Sequence, residues 1–330
     1  MPLSTRPFGR TGQTPTAIGF GAWAIGGTWG DVTDAQAKDT LNAALDAGMT
    51  FIDTADVYGD GLSERRIAQV LHDRPGPRPL VATKAGRRSN PHTADSYNLA
   101  NLTAYIDRSR ANLQIDTLDL VQLHCPPTEV YADARVHDAL LTLQARGMIA
   151  NYGVSVEKID EAMTAIRFPG VTSVQIIFNL FRQRPADHFV AAAKAANVAV
   201  IARVPLASGL LTGKMSAAST FAADDHRSFN RNGEAFDKGE TFSGVPFDVA
   251  LQAVEELRPL VPAGATMAAF ALRWILMSQA ISVVIPGART AAQSQANAAA
   301  DAVPPLDAAT MASAREIYHR LIAPHVAHLW

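Results

Sequence analysis

Four residues with different side-chain chemistry stand at or just after the ends of short apolar stretches in this 330-residue sequence. They are Asp53, Tyr58, Lys84 and His124. Short apolar runs bounded by turn residues are typical of buried strands, so three consecutive predicted strands end with residues capable of chemistry. Since the carboxyl ends of parallel strands meet at one edge of a sheet, we expect the four side chains to converge there.

Together these residue types suit proton transfer to or from an oxygen atom. A tyrosine phenol has a pKa of about 10 in water, and a nearby ammonium such as that of Lys84 lowers it. Asp53, paired with Lys84, would keep the lysine charged and fixed, while His124 could donate a hydrogen bond to a carbonyl oxygen. We interpret the set as one that protonates or deprotonates an oxygen while a hydride arrives from elsewhere.

The sequence around these residues resembles that of the aldo-keto reductases. The segments Asp53-Thr-Ala-Asp-Val-Tyr-Gly, Ser63-Glu64 and Gln122-Leu-His124 are specific to that family rather than generic. By this resemblance, the family's Asp, Tyr, Lys and His tetrad maps onto the four residues named above. The similarity extends from Phe8 to Asn297 and implies a cofactor-dependent oxidoreductase.

Strand and helix patterns alternate along the chain. The strands are predicted at 17–21, 49–52, 79–83, 118–123, 149–154, 172–176, 198–202 and 281–285. Eight βα units in a chain of this length favour an α/β fold, a closed (β/α)8 barrel of the TIM type, and no linker divides residues 1–330 into separate domains.

Three segments fall outside this repeat. Residues 8–15 contain a glycine turn and predict an N-terminal β-hairpin over the bottom of the barrel. The long loop 210–247 after the seventh strand lacks periodicity, and loops of this length are usually functional or mobile, so we expect it on the rim that carries the site. After a packing helix within 306–322, the tail 323–330 either folds over the pocket or frays, and we favour fraying.

The resemblance also implies a nicotinamide site at the later strand ends. Ser155 and Gln175 would hold the carboxamide of the nicotinamide. The asparagine that usually follows this serine is Val156 here, which removes one amide contact. Arg203 stands where the family commonly has an aromatic residue under the nicotinamide, and a guanidinium plane can also stack on a ring.

Two further segments resemble the parts of the family that hold the rest of the cofactor. In 205–214, glycines let backbone N–H groups approach phosphate oxygens, and in 285–297 a helix N-terminus offers an anion site for the adenosine end. Gln293 replaces an arginine that many members have, with Arg289 nearby, so NADP is favoured and NAD is the alternative. The candidate residues are Pro205, Leu206, Ser208, Gly209, Leu211, Lys214, Ile285, Gly287, Arg289, Gln293 and Asn297.

A second nucleotide motif competes near the N-terminus. The spacing Gly19-x-Gly21-x-x-Ala24 matches the dinucleotide fingerprint, but that fingerprint needs a helix to start within it, and no helical period begins until about Asp34. We interpret the match as coincidental. Trp23, a candidate cofactor contact, and Trp29 would instead line the pocket, although simple packing explains either residue equally well.

Composition excludes several classes of protein. The net charge is −2, so there is no basic field for nucleic acid or an anionic membrane. Cys125 is the single cysteine, which excludes an internal disulfide, and the histidines lack metal-ligand spacing, so we expect no metal. No apolar run reaches the ~20 residues that span a bilayer, and we expect a cytoplasmic location.

Three functions are compatible with these features. The first is reduction of an aldehyde or ketone by NADPH, with Tyr58 as the general acid. The second is an NAD-linked aldose or alcohol dehydrogenase working in the oxidative direction, which the glutamine at position 293 supports. The third is a redox-sensing partner protein like the channel-associated members of the family, and an intact tetrad does not exclude it.

Overall fold

Strands and helices alternate in the computed structural model, which describes residues 2–27 and 32–330. The strands are β1 (Phe20–Gly21), β2 (Phe51–Asp53), β3 (Leu80–Ala85), β4 (Leu120–His124), β5 (Tyr152–Ser155), β6 (Val171–Ile177), β7 (Ala199–Arg203) and β8 (Val283–Val284). The helices are α1 (Asp34–Asp46), α2 (Leu62–His72), α3 (Leu99–Leu113), α4 (Ala134–Ala145), α5 (Ile159–Ala165), α6 (Phe189–Ala195), α7 (His226–Phe229), α8 (Phe247–Leu257), α9 (Met267–Leu276), α10 (Ala291–Ala299), α11 (Ala308–Ile317) and α12 (Ala323–Val326). No helix in these two ranges combines the length and the apolar character that crossing a bilayer requires.

The strands form one parallel sheet in chain order, from β1 to β8. The first and last strands are joined as well, because Gly19 N donates to Val284 O and Val284 N donates to Ala17 O, both at 2.9 Å. Ile18 and Val284 form a parallel bridge between them. The architecture therefore matches the predicted (β/α)8 barrel, although β1 and β8 are shorter than their apolar runs suggested.

The register of the sheet places the predicted site residues side by side. His124 on β4 is the partner of Ser155 on β5, and Ser155 in turn is the partner of Gln175 on β6. Lys84 on β3 is the partner of Gln122 on β4. Parallel strands in this register bring these side chains to the carboxyl edge of the barrel, as expected for the fold.

Local sequence signals account for the helix that precedes the first catalytic strand. Thr33 accepts a hydrogen bond from Gln36 N, and the Gln36 side chain accepts one from Thr33 N, which is a capping box. The helix α1 ends just before Gly48, whose φ of +92° is the left-handed geometry that favours glycine. A three-residue 3-10 helix (Trp23–Ile25) starts within the Gly19–Ala24 spacing, but the first α-helix of the described residues, α1, begins at Asp34, which agrees with the coincidental interpretation of that motif.

The N-terminal segment covers the opposite end of the barrel. Thr5 and Thr16 form an antiparallel bridge, and a short 3-10 helix lies between them. Phe8 is fully buried in the apolar cluster inside the barrel, where its ring centroid lies 5.4 Å from that of Phe51. Its neighbour Gly9 packs so closely on the start of β7 that a Cβ there would lie 2.6 Å from Ala199 N. The segment therefore forms a turn that seals the strand starts, with a single bridge in place of an extended hairpin ladder.

The tail packs against the long loop, so the expectation that it frays is wrong. The Arg182 guanidinium lies 3.7 Å from the centroid of the Trp330 ring, and Trp330 Nε1 donates to Asp237 Oδ2 at 3.0 Å. A Cβ on Gly244 would come within 2.5 Å of the same ring. A stacked cation and a hydrogen bond to the indole give this aromatic residue a defined position that the apolar pattern did not predict.

Candidate active site

A cavity of about 460 Å³ opens between the carboxyl ends of the strands and the loops that follow them. Nearly all of the predicted site residues line it. They are Trp23, Asp53, Tyr58, His124, Ser155, Gln175, Arg203, Pro205, Leu206, Ser208, Gly209, Lys214, Ile285, Gly287, Arg289, Gln293 and Asn297. The residues that the sequence placed at different strand ends thus share one concave site.

Two predicted residues do not line this cavity, and a third lies outside the described residues. Leu211 is fully buried in the hydrophobic core and does not line the cavity, because an aliphatic side chain in this loop gains more from packing than from facing a polar cavity; its assignment as a cofactor contact stays a prediction. Lys84 lies behind the wall and reaches the cavity through its neighbours. Trp29 lies outside the described residues.

Lys84 connects the acid and the phenol of the tetrad. Its Nζ lies 2.5 Å from Asp53 Oδ1, 2.8 Å from Thr54 O and 3.3 Å from the Tyr58 hydroxyl. Asp53 and Lys84 are only 2% and 1% exposed, so the charges are paired inside the protein and not at its surface. The structure therefore brings together three of the four tetrad residues in direct contact.

The protonation states follow from this burial. Burial lowers the pKa of Lys84, but the charges and hydrogen bonds of Asp53 and Tyr58 together outweigh it, and the net pKa is above its ordinary value. Burial raises the pKa of Tyr58, and the Lys84 ammonium only partly offsets this effect. The sequence predicted a net lowering of the phenol pKa, which is wrong here because desolvation is the larger effect. Tyr58 is therefore held as the neutral phenol, the form that can donate a proton.

The second oxygen of Asp53 joins more strands to the same centre. Gln175 Nε2 donates to Asp53 Oδ2 at 2.7 Å, and Gln122 Nε2 donates to the same oxygen at 3.1 Å. Asp53 is thus bonded by residues from β3, β4 and β6. These contacts fix the carboxylate and also orient the Gln175 amide, one of the two residues expected to bind a carboxamide.

Tyr58 is positioned by a turn that depends on glycine. Gly59 has a φ of +60°, and a Cβ at this position would lie 2.0 Å from Gly26 O. The loop containing Trp23 therefore packs directly on the turn, and the Trp23 ring stacks 6.0 Å from the Tyr58 ring. Trp23 is a wall of the cavity, as expected.

His124 faces the phenol edge to face, with ring centroids 6.1 Å apart. Its Nε2 lies 3.3 Å from Arg87 Nη1, and its buried Nδ1 has no hydrogen-bond partner among the described residues. Burial, reinforced by the charges of Arg87 and Lys84, lowers the pKa of His124 well below its ordinary value. The imidazole is therefore neutral at physiological pH.

A buried charge network that the sequence patterns do not predict lies beside His124. Glu240 Oε1 lies 3.1 Å from Arg87 Nη1 and 3.3 Å from Arg203 Nη1. Burial raises the pKa of Glu240, but the two guanidinium groups together lower it by more, so the net pKa lies below its ordinary value. The carboxylate is therefore ionised. Arg203 also donates to Val156 O at 3.1 Å. No motif marks Glu240, which lies in the non-periodic loop.

The segment after β7 has an unusual backbone. Val204, Ala207, Ser208 and Gly209 all have positive φ, and Ser208 Oγ donates to Glu240 O at 2.9 Å. For the three residues other than glycine such conformations cost of order 1–3 kcal/mol each, and they persist at ligand sites because the surroundings hold them. Arg227 from the long loop also lines the cavity near this segment and is paired with Asp225 at 2.6 Å.

The far end of the cavity is formed by the start of α10. Thr290 caps the helix by accepting from Gln293 N, and Gln293 Oε1 accepts from Arg289 N at 2.7 Å. Asn297 Nδ2 donates to Gly287 O at 3.2 Å. The Gln293 side chain is therefore partly used in capping its own helix, and Arg289 supplies a cation at this end.

A closed barrel with a lysine-paired phenol and a neutral histidine at one end of a long cavity defines a class of oxidoreductases that move a hydride and a proton. The chain belongs to the Aldo/keto reductase family, whose sequence model matches residues 17–319. It is 32% identical to the aldo-keto reductase YhdN of Bacillus subtilis (strain 168), over 87% of this chain and 85% of that protein.

Solved structures give the same result. A glycerol dehydrogenase from Gluconobacter oxydans is 30% identical with a TM-score of 0.75, covering 95% of this chain and 93% of that one. An aldo-keto reductase from Klebsiella pneumoniae, solved in complex with NADPH, has a TM-score of 0.69 at 22% identity, with 96% of each chain covered. At that identity the second likeness shows the fold alone.

Proposed function

We propose that this protein reduces an aldehyde or ketone to an alcohol with NADPH, and that Tyr58 is the general acid. The observation that carries the proposal is the neutral Tyr58 hydroxyl, 3.3 Å from the Lys84 ammonium in the wall of the cavity. A buried phenol next to a fixed cation can give its proton to an oxygen, and the cation stabilises the phenolate that results.

The shape and polarity of the cavity fit a dinucleotide. Ser155 and the oriented Gln175 amide lie at the tetrad end, where a carboxamide would bind. The cations Lys214, Arg227 and Arg289 lie along the remaining wall, where phosphates would be neutralised. When bound, NADPH supplies the hydride. The chain's own residues orient the carbonyl group, exclude water and deliver the proton.

We favour NADP(H) as the cofactor. The Klebsiella relative was solved with NADPH, and Arg289 places a cation at the adenosine end of the cavity. A second candidate is alcohol oxidation with NAD. The glycerol dehydrogenase named above supports that direction, and Gln293, which caps its own helix through Arg289 N, supports that cofactor.

Removal of one oxygen atom tests the role of Tyr58. We expect Tyr58→Phe to lose turnover by about 10²–10⁴-fold, the usual contribution of a general acid, while its NADPH affinity stays within about two-fold of wild type. Phe236→Leu, in the long loop, is the control for a lost aromatic group that carries no proton. Wild-type turnover by Tyr58→Phe would contradict the assignment.

Cofactor choice is tested by titrating NADPH and NADH against the intrinsic tryptophan fluorescence. We expect tighter binding of NADPH, and a further gain for NADPH alone in Gln293→Arg, because a second cation would face the 2′-phosphate. Equal affinity for both nucleotides in the two proteins would favour the NAD-linked alternative. Repeated turnover of NADPH with a carbonyl substrate would exclude a purely regulatory role.

A further inference from the structure

Tyr58 stands at the centre of a short segment whose two ends are joined by one arginine. Arg108 on α3 donates from Nη1 to Asp56 O at 3.0 Å and from Nη2 to Asp60 O at 2.8 Å. These carbonyl groups lie two residues before and two residues after Tyr58. The same Nη2 also donates to Asp60 Oδ1 at 2.6 Å. A single guanidinium therefore spans the segment 56–60, which carries the general acid of the proposed reaction.

The backbone after Tyr58 has a conformation that depends on support from its surroundings. Gly59, Asp60 and Gly61 have φ values of +60°, +51° and +84°, so three consecutive residues lie in the left-handed region. Glycine adopts this region readily, whereas a residue with a Cβ is strained in it. Since such a conformation persists only where other groups hold it, the hydrogen bonds that reach this turn determine its shape.

Two other arginines bind the Asp60 end of the segment. Arg65 Nη1 donates to Asp60 O at 3.2 Å, and Arg88 Nη2 donates to Asp60 Oδ1 at the same distance. Arg88 also approaches the other end, but its Nη1 lies 3.7 Å from Asp56 Oδ2, which is too long for a hydrogen bond. Of these three arginines, Arg108 is the one that hydrogen-bonds the backbone at both ends. Its planar guanidinium suits this task because its N–H groups have a fixed spacing and can bind two oxygens at once.

The inner side of the segment is attached to the catalytic residues. Asp56 N donates to Lys84 O at 3.3 Å, and Lys84 Nζ lies 3.3 Å from the Tyr58 hydroxyl. The distance between the phenol and the ammonium therefore depends on where the backbone of 56–60 lies. Because the tyrosine side chain is long, a small rotation at its Cα moves the hydroxyl further than the Cα itself. A displacement of about 1 Å in a reacting group can lower a rate about 10²-fold.

We propose that Arg108 is a positioning residue, which holds the segment 56–60 from the outer layer of helices so that the Tyr58 hydroxyl stays beside Lys84 and within reach of the substrate oxygen. The inference rests on the proposed carbonyl reduction. Arg108 is not among the described residues that line the cavity, so it acts through Tyr58 and not by touching the cofactor or the substrate.

The support of the segment is tested without any turnover, by amide hydrogen exchange and mass spectrometry. We expect Arg108→Met to speed exchange within 56–62 several-fold, because the turn loses the bonds that join its ends. Arg110→Met is the control, since Arg110 lies on the same helix and donates to Asp116 O at 2.6 Å and to Asp107 instead. Wild-type exchange within 56–62 in Arg108→Met would overturn the proposal.

The effect on the reaction is measured in a single turnover of bound NADPH, followed by the loss of its fluorescence in a stopped-flow instrument. We expect the rate constant of hydride transfer to fall by about 10–10²-fold in Arg108→Met. The NADPH affinity should change little, because the nucleotide residues lie in other segments. A merely structural role would reduce the amount of active protein, and hence the amplitude, without changing the rate constant. Arg108→Lys should lie between the two proteins, since a compact ammonium binds one carbonyl less firmly than a guanidinium binds two.

A second background shows whether Arg108 acts through Tyr58. In Tyr58→Phe there is no phenol to position, so the addition of Arg108→Met should lower the residual rate constant by less than about two-fold. Arg110→Met should leave the rate constant unchanged in both backgrounds. The same fold-loss from Arg108→Met with and without the phenol would reject a role that passes through Tyr58.

The outcomes separate this inference from the function on which it rests. A wild-type rate constant in a folded, NADPH-binding Arg108→Met protein would reject the role of Arg108 and leave carbonyl reduction intact. If Arg108→Met fails to fold, Arg108→Lys and Asp60→Gly take its place, and wild-type rate constants in both would reject that role. A wild-type protein that binds NADPH but reduces no aldehyde or ketone would instead reject the proposed function, and hydrogen exchange would still decide whether Arg108 holds the segment.

Discussion

Replacing Lys84 by methionine should lower both the activity and the stability of the protein, and only the stability should be recovered when Asp53 is neutralised as well. The substitution removes the ammonium 3.3 Å from the Tyr58 hydroxyl, so the phenolate formed after proton transfer loses its counter-charge. We expect kcat to fall by about 10²–10⁴-fold, the range of a lost acid–base contribution. The Tyr58 pKa, already raised by burial, should rise further without the cation.

The same substitution leaves the Asp53 carboxylate buried without its cation. Breaking a buried ion pair by removing one partner costs about 3–5 kcal/mol. Asp53 keeps two amide donors, from Gln122 and Gln175, so we expect the lower end, about 3 kcal/mol. In Asp53→Asn/Lys84→Met no buried charge is left, and we expect at least about 1 kcal/mol of that loss to be recovered while activity stays absent.

Urea unfolding of the wild type, the two single variants and the double variant measures the coupling between the two residues. Steady-state carbonyl reduction measures the rate in the same four proteins. A double variant as unstable as the sum of the two single variants would refute the idea that the pair compensates its own burial. A rate within about three-fold of wild type in Lys84→Met would refute the role of the cation, since it corresponds to less than ~1 kcal/mol of transition-state stabilisation.

Three further predictions test other parts of the structure. Gly59→Ala should lower the free energy of unfolding by about 1–3 kcal/mol more than Gly48→Ala, because both glycines have positive φ but only the first would place a Cβ against backbone; chemical denaturation checks this. Asp56 is buried and its pKa is raised to about 7, so the folded protein keeps a proton that the unfolded chain loses above pH ~4. The free energy of unfolding of the wild type, relative to that of Asp56→Asn, should therefore fall from pH ~4 to 7 and then level off. A difference between the two proteins that does not change with pH would contradict this. Trp330→Ala should speed protease cleavage within 213–246 several-fold, because the turn carrying Glu240 loses its packing partner.

The tetrad could be predicted from sequence because each member stands at or near the end of a strand. Short apolar runs locate the strand ends, and the barrel then brings Asp53, Lys84 and His124 together without knowledge of any particular contact. Most of the proposed cofactor contacts line the cavity for the same reason. Leu211 does not line the cavity, since a side chain in a turn faces either the ligand or the core and the spacing does not say which.

Arg87 and Glu240 could not be predicted in this way. Their contact joins the end of β3 to a loop more than a hundred residues later, and the return path of that loop is set by packing such as that of Trp330 on Arg182. The direction of the Tyr58 pKa shift could not be predicted either, because it depends on the balance between burial, which raises the pKa, and the Lys84 cation, which lowers it. Both failures concern long-range packing, which a local pattern does not contain.

Asp53 accepts hydrogen bonds from side chains of three other strands, whereas the pocket wall beyond Tyr58 is supplied by the long loop and by loops that contact it. The chemical centre is therefore built into the buried, hydrogen-bonded part of the barrel, and we expect its local unfolding to cost more free energy than that of the long loop. Grafting a different sequence into 228–236, which leaves Lys214 and Arg227 in place, should consequently change the preference for the carbonyl substrate and keep the same reaction. Substitutions in this loop can then change substrate preference without disrupting the residues that carry out the reaction.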